Sequence, residues 1–79
     1  MINIKDVKIG DCCFFKVAGQ SAPIFGEIYK FSLDYNYIQI HSKEGYFTVW
    51  IENAYWEEKE AKKANYKKYE SKNWKIEYN

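Results

Sequence analysis

The chain contains no arginine; all twelve of its basic residues are lysines. Arginine supplies the planar fork that grips phosphate and guanine through two bonds at once, so its absence argues against a reader of nucleic acid. Cysteine is scarce too, and the only two, Cys12 and Cys13, are adjacent. Neighbours in an extended strand point to opposite faces, which strains any bridge between them. They read as reduced thiols of a cytoplasmic protein, two small strand residues of which one is buried. Without a second Cys or His pair, and without the two-residue spacer of a metal knuckle, no metal site is expected. A glycine-rich phosphate loop is also missing, and no cofactor is expected. No apolar run approaches the roughly 20 residues of a membrane span. The opening "MINIKDVKIGD" is broken by charges, so it does not read as a secretion signal. These absences describe a soluble protein with no membrane partner.

Catalytic groups are equally sparse. Acid/base or nucleophilic chemistry needs a positioned pair, usually including a histidine or two carboxylates in unlike surroundings. The one histidine, His41, falls beside Gln39 on the polar side of a strand pattern and reads as solvent-facing. Asp11 follows Gly10, where a carboxylate that caps its own turn is the ordinary explanation. The expectation is therefore not an enzyme. Twelve lysines against eleven acids leave a formal charge of +1, which fits neither a polyanion-binding tail nor an acidic mimic of DNA. The excess of Lys, Asn, Ile and Tyr is what AT-rich codons encode, as in a low-GC bacterium or its phage.

What the chain has in abundance is aromatic side chains, 20% of its 79 residues, with five rings in the eleven residues of "YFTVWIENAYW". A domain this small buries only about 60% of the surface its unfolded chain exposes, so its core has little room for them. Residues 1–79 read as one domain. Alternation predicts strands at about 11–17, 24–32, 37–42 and 46–51, with turns at "LDYN" and "KEG" and a bulge or bend at Gly26. "EEKEAKKANYKKYES" changes period and predicts a helix over about 57–71, with an imperfect N-cap at Glu57 and with Ala61, Ala64 and the stem of Lys68 inward. Its lysines, interleaved with glutamates and paired as in Glu58 to Lys62, form a solvated face. "NWKIEYN" alternates again and predicts a fifth strand at 74–78.

The predicted fold is mainly β with one helix, a small SH3-like antiparallel barrel in the order β-β-β-β-α-β. Phe15, Ile28, Ile38, Ile40, Phe47, Val49, Trp74 and Ile76 would fill it. Phe14, Phe25, Tyr29, Phe31, Tyr37, Tyr46 and Trp50 would then project outward, and the candidate binding surface is Phe14, Tyr29, Phe31, Tyr37, Tyr46 and Trp50. "KIGD" ahead of an apolar strand, "GEI" in the second strand and a strand ending "ENAYWEEKEAKKA" resemble the small SH3-like accessory proteins of phage and mobile elements, over roughly residues 7–65. That resemblance implies fold and source rather than chemistry. The expected function is a non-catalytic binding protein, a phage-type accessory factor that inhibits or redirects a host protein through an exposed aromatic face. A homo-oligomer is expected as well, and the partner is a host or viral protein. Two alternatives stay open: a barrel that binds nucleic acid, and a homo-oligomer that sequesters a small nucleotide.

Overall fold

The computed structural model describes residues 2–68. Four strands form an antiparallel meander: β1 (Cys12–Phe15), β2 (Ile24–Phe31), β3 (Tyr37–Ser42) and β4 (Gly45–Trp50). A single 3-10 turn, Ile51–Asn53, carries the chain to β5 (Ala54–Tyr55), which pairs with β1. The sheet order is β4-β3-β2-β1-β5, antiparallel throughout. Helix α1 follows at Glu58–Lys63.

The fold is thus mainly β with one short helix, and the described residues form a five-stranded sheet that does not close into a barrel. In element order they run β-β-β-β-β-α, because "AY" returns to pair with β1 before the helix begins. The fifth strand expected at 74–78, with Trp74 and Ile76, lies outside the described residues. The helix has six residues and stops well short of the expected end at 71. Its N-cap residue Glu57 makes no side-chain capping bond, and Ala64 already has extended backbone, ψ 148°. The expected Glu58–Lys62 pair forms, at 2.9 Å. Ala61 is buried and Ala64 half-buried, whereas Lys68 lies beyond the helix and is exposed.

Alternation decides the core. Cys13, Phe15, Ile24, Ile28, Ile38, Ile40 and Val49 are buried on one face, and Phe47 packs against them. Ile2, Val7 and Ala54 complete the cluster. Ile2 is tied in by donating its backbone N–H to Ala54 O at 3.2 Å. Gly26 lies between Cys13 and Ser42 on the neighbouring strands. A Cβ there would collide with Ile40 Cγ2 and sit 2.8 Å from His41 O, so only glycine permits this spacing of β2 and β3. The bulge lies three residues further on. Ile28 pairs with Ile40 and Lys30 with Gln39, so Tyr29 and Lys30 together oppose one residue. An inserted residue reverses which side of the strand faces inward. Phe31 accordingly pairs with the buried Ile38 and packs against the core instead of projecting outward as expected.

The β2–β3 turn is held by Ser32, whose hydroxyl donates to Asp34 Oδ1 at 2.6 Å and accepts from Tyr37 N–H at 3.0 Å. The Ser32 hydroxyl, then the Asn36 N–H, hold the Asp34 carboxyl below the usual aspartate range. A folded value lowered in this way stabilises the turn above the ordinary aspartate pKa of about 3.9, and the contribution is lost as pH falls through the lowered value.

The chain after α1 is secured by Asn53, which is 2% exposed. Its Nδ2 donates to Lys67 O and its Oδ1 accepts from Lys67 N–H, both at 2.8 Å. Its backbone carbonyl accepts from Lys16 N–H at 3.0 Å. Lys16, itself buried, donates from Nζ to Ala64 O. Asn53→Ala is expected to cost about 1–3 kcal/mol, since Lys67 loses both partners. At roughly 4–8 °C of melting temperature per kcal/mol for a domain of this size, the loss is measurable by circular dichroism. Faster hydrogen exchange at the Lys67 amide should accompany it, and an unchanged melting temperature would remove the clamp from the account of stability. Gly26→Ala is expected to cost about 1–3 kcal/mol by overpacking alone, measured by the same melts.

Candidate functional site

The outward face of the sheet is the candidate site, and it is built by register. A two-residue turn at Lys43–Glu44 sets His41 directly opposite Tyr46. Their rings stack with centroids 4.4 Å apart and planes 17° apart. Tyr29, on this face by alternation with Phe25 and Glu27, meets Tyr46 edge-on at 5.4 Å. Its hydroxyl donates to Gln39 Oε1 at 2.6 Å. With its Oε1 engaged, Gln39 keeps an NH2 group that can only donate. Tyr46 is 69% exposed, the most exposed large apolar side chain among the described residues. Stacked and edge-on ring contacts hold such side chains in place and lower the entropy lost when something docks on them.

A second cluster lies on β1 and β2, where Phe14 and Phe25 pair across the strands with centroids 4.9 Å apart. Phe25 is 53% exposed. Phe14 also pairs with Tyr55, which is buried. Burial pushes the Tyr55 phenol up, with the charges of Glu60 and Glu52 adding to it, and its hydroxyl donates to Glu52 O at 3.2 Å. Of the six candidate residues, the structure therefore joins Tyr29 with Tyr46 and sets Phe14 beside Phe25. Tyr37 and Trp50 face each other across β3 and β4 at the far end, both half-buried. Phe31 belongs to the core side, with Tyr35 at 6.4 Å. Trp50 also lines a cleft of about 140 Å³ together with Val17, Thr48, Asn53 and Tyr66.

Sequence reasoning passed over Gln39 and His41 as members of this cluster. The signal was present in the turn length, since a two-residue turn between Ser42 and Gly45 makes 41 and 46 partners.

No group of three or more His, Cys, Asp or Glu residues among the described residues is placed to hold a metal ion. Among the same residues, no helix is long and apolar enough to cross a membrane. Both cysteines are free, and alternation separates them: Cys12 is exposed and Cys13 buried. Burial, then the neighbouring Cys12 and Asp11 charges, pushes the Cys13 thiol up to about 12. Because thiolate is the reacting species, a thiol reagent at pH 8 is expected to modify one cysteine per chain in the native protein and two in denaturant. Peptide mapping should locate the native adduct at Cys12, and rapid modification of both thiols in the folded state would contradict the burial of Cys13. No family model matches the chain, and no curated protein and no solved structure matches it either.

Proposed function

We propose that the chain is a non-catalytic binding protein whose contact surface is the outward face of β2, β3 and β4. One observation carries this reading: Tyr46, 69% exposed, stacks on His41 and meets Tyr29 edge-on on open sheet. Tyrosines fixed in this way are the residue type that dominates binding hot spots, and a soluble chain seldom exposes such rings in a cluster without a use for them. A host or viral protein in the cytoplasm is the partner this reading assigns, as the resemblance to phage-type accessory factors implies. Two free thiols suit that compartment.

The finer architecture this reading adopts is a small SH3-like barrel. It is supported by a four-strand meander whose chain turns once in 3-10 conformation and returns to pair with its own first strand. A protein partner is favoured over nucleic acid by the charges. Lys62 is offset by Glu58, Lys67 by Glu52 at 3.8 Å, and Lys16 Nζ is spent on Ala64 O. Lys30 on the open face shares it with Glu27, so the face offers no stripe of positive charge for phosphates.

The test is capture from a low-GC bacterial lysate by the wild-type chain and by Tyr29→Ala and Tyr46→Ala, with affinity then measured for the captured protein. Each change is expected to weaken binding by roughly 2 kcal/mol or more, about 30-fold, while the exposed Tyr46→Ala leaves the melting temperature nearly unchanged. A steep loss of affinity with salt, together with loss on Lys62→Glu and Lys63→Glu but not on the tyrosine changes, would replace this reading with nucleic-acid binding.

A further inference from the structure

The outward face carries two neighbouring cross-strand rows. In the first, Tyr46, His41, Glu27 and Cys12 stand in register across β4, β3, β2 and β1. In the second, Thr48, Gln39 and Lys30 stand in register across β4, β3 and β2. The bulge at Tyr29 is what brings Lys30 into this row. Glu27 and Lys30 are both exposed, and neither has an ion-pair partner among the described residues. Among the described residues, two opposite charges, one in each row of the central strand, thus stand without a partner on an aromatic face.

We infer that a second copy of the chain occupies this face, stacked antiparallel about a dyad that lies in the plane of the face, across the strands and midway between the two rows. This rests on the reading of the face as a contact surface: the second copy covers it in the chain alone and gives way when the host or viral protein binds. An isologous contact requires that if one residue meets another, the reciprocal contact forms as well. The dyad described sets Glu27 against the partner subunit's Lys30 and Lys30 against the partner subunit's Glu27. It equally sets Gln39 against the partner subunit's His41. The Gln39 carbonyl is engaged by Tyr29, which leaves its NH2 to donate, and an imidazole nitrogen can accept. A dyad running along β2 would instead lay Glu27 on the partner subunit's Glu27. The charges therefore favour the dyad across the strands over that one.

Size is consistent with this. The molecule measures 30 × 27 × 24 Å. That outline sets an upper bound for the face near the roughly 800 Å² that each partner buries in a standard interface. A formal charge of +1 sets almost no repulsion against association.

Charge reversal tests the dyad directly, by sedimentation equilibrium at high micromolar concentration, with circular dichroism melts to confirm folding. The wild-type chain is expected at twice its 9.5 kDa mass. Glu27→Lys alone and Lys30→Glu alone should each weaken the dimer at least tenfold by opposing like charges. An equimolar mixture of the two single variants should recover it as a heterodimer, and the double variant Glu27→Lys/Lys30→Glu should recover it as a homodimer. A monomeric wild type, single variants that associate as the wild type does, or a mixture that stays monomeric overturns the inference. A monomeric wild type that still captures a protein dependent on Tyr46 would leave the contact surface standing and remove only the second copy from it. Loss of both would reject the surface as well.

Discussion

One buried amide holds the end of the described chain to the sheet. Asn53 pairs with both the N–H and the C=O of Lys67, as a neighbouring strand would, while its own carbonyl takes the Lys16 N–H. A short helix cannot do this by itself, because six residues form barely more than one turn and nucleation of a helix is unfavourable. The segment after α1 is therefore positioned from the sheet side. An apolar residue at 53 would fill the space but leave two backbone groups of Lys67 without partners, and unsatisfied polar groups in a part-buried site cost more than the packing returns. Lys16 works in the same sense, its stem buried and its ammonium on Ala64 O. Together they account for the end of the helix at Lys63, since the chain is drawn off the helical path toward Lys16, just past β1, and Asn53 on the 3-10 turn.

The outward face depends on two local features of β2. Gly26 lets β2 and β3 approach where any Cβ would meet Ile40 and His41 O, and this keeps the ladder in register. Tyr29 then interrupts that register. Without the bulge, Phe31 would point outward and Lys30 inward, and Tyr29 would lie in simple alternation. With it, Tyr29 and Lys30 share the outer face and Phe31 joins the core. A single extra residue thus brings the Lys30 ammonium onto the face that already carries Glu27 and Tyr29.

Much of this was legible from alternation. Phe15, Ile28, Ile38, Ile40 and Val49 are buried as period-two reading requires, β3 falls at 37–42 as expected, and the Glu58–Lys62 pair follows from helical spacing. Three kinds of information were not available to that reading. A two-residue strand such as Ala54–Tyr55 carries no period at all, so β5 is defined only by its partner β1. The helix end is set by Asn53 and Lys16, which are remote in sequence, while the local propensity of "AKKANYKK" continues past it. The bulge lies at Tyr29 rather than at Gly26, the glycine that suggests it in sequence. Ile2 and Val7 escaped for a related reason, since single apolar residues in a polar N-terminal segment show no period until the bond of Ile2 to Ala54 O and the packing of the core are known.

Whether the surplus rings form a second small core or a contact surface turns on reach. A six-residue helix is about 9 Å long, enough to span two strands at about 4.8 Å spacing. Helix α1 uses that length on β5 and β1, with Ala61 and Tyr55 buried beside it. Tyr29, His41 and Tyr46 lie on β2, β3 and β4, toward the opposite edge of the sheet. They are braced by one another and by Gln39 rather than by the helix. Rings covered by a helix would be held by its burial, and loosening the helix would expose them. Rings that fix each other on open sheet keep their arrangement with the surface uncovered, and that pre-ordering is what lowers the entropy cost of an encounter. The stacking of His41 on Tyr46 therefore bears on function more directly than the number of aromatic residues, because it is the arrangement that survives in the unbound protein.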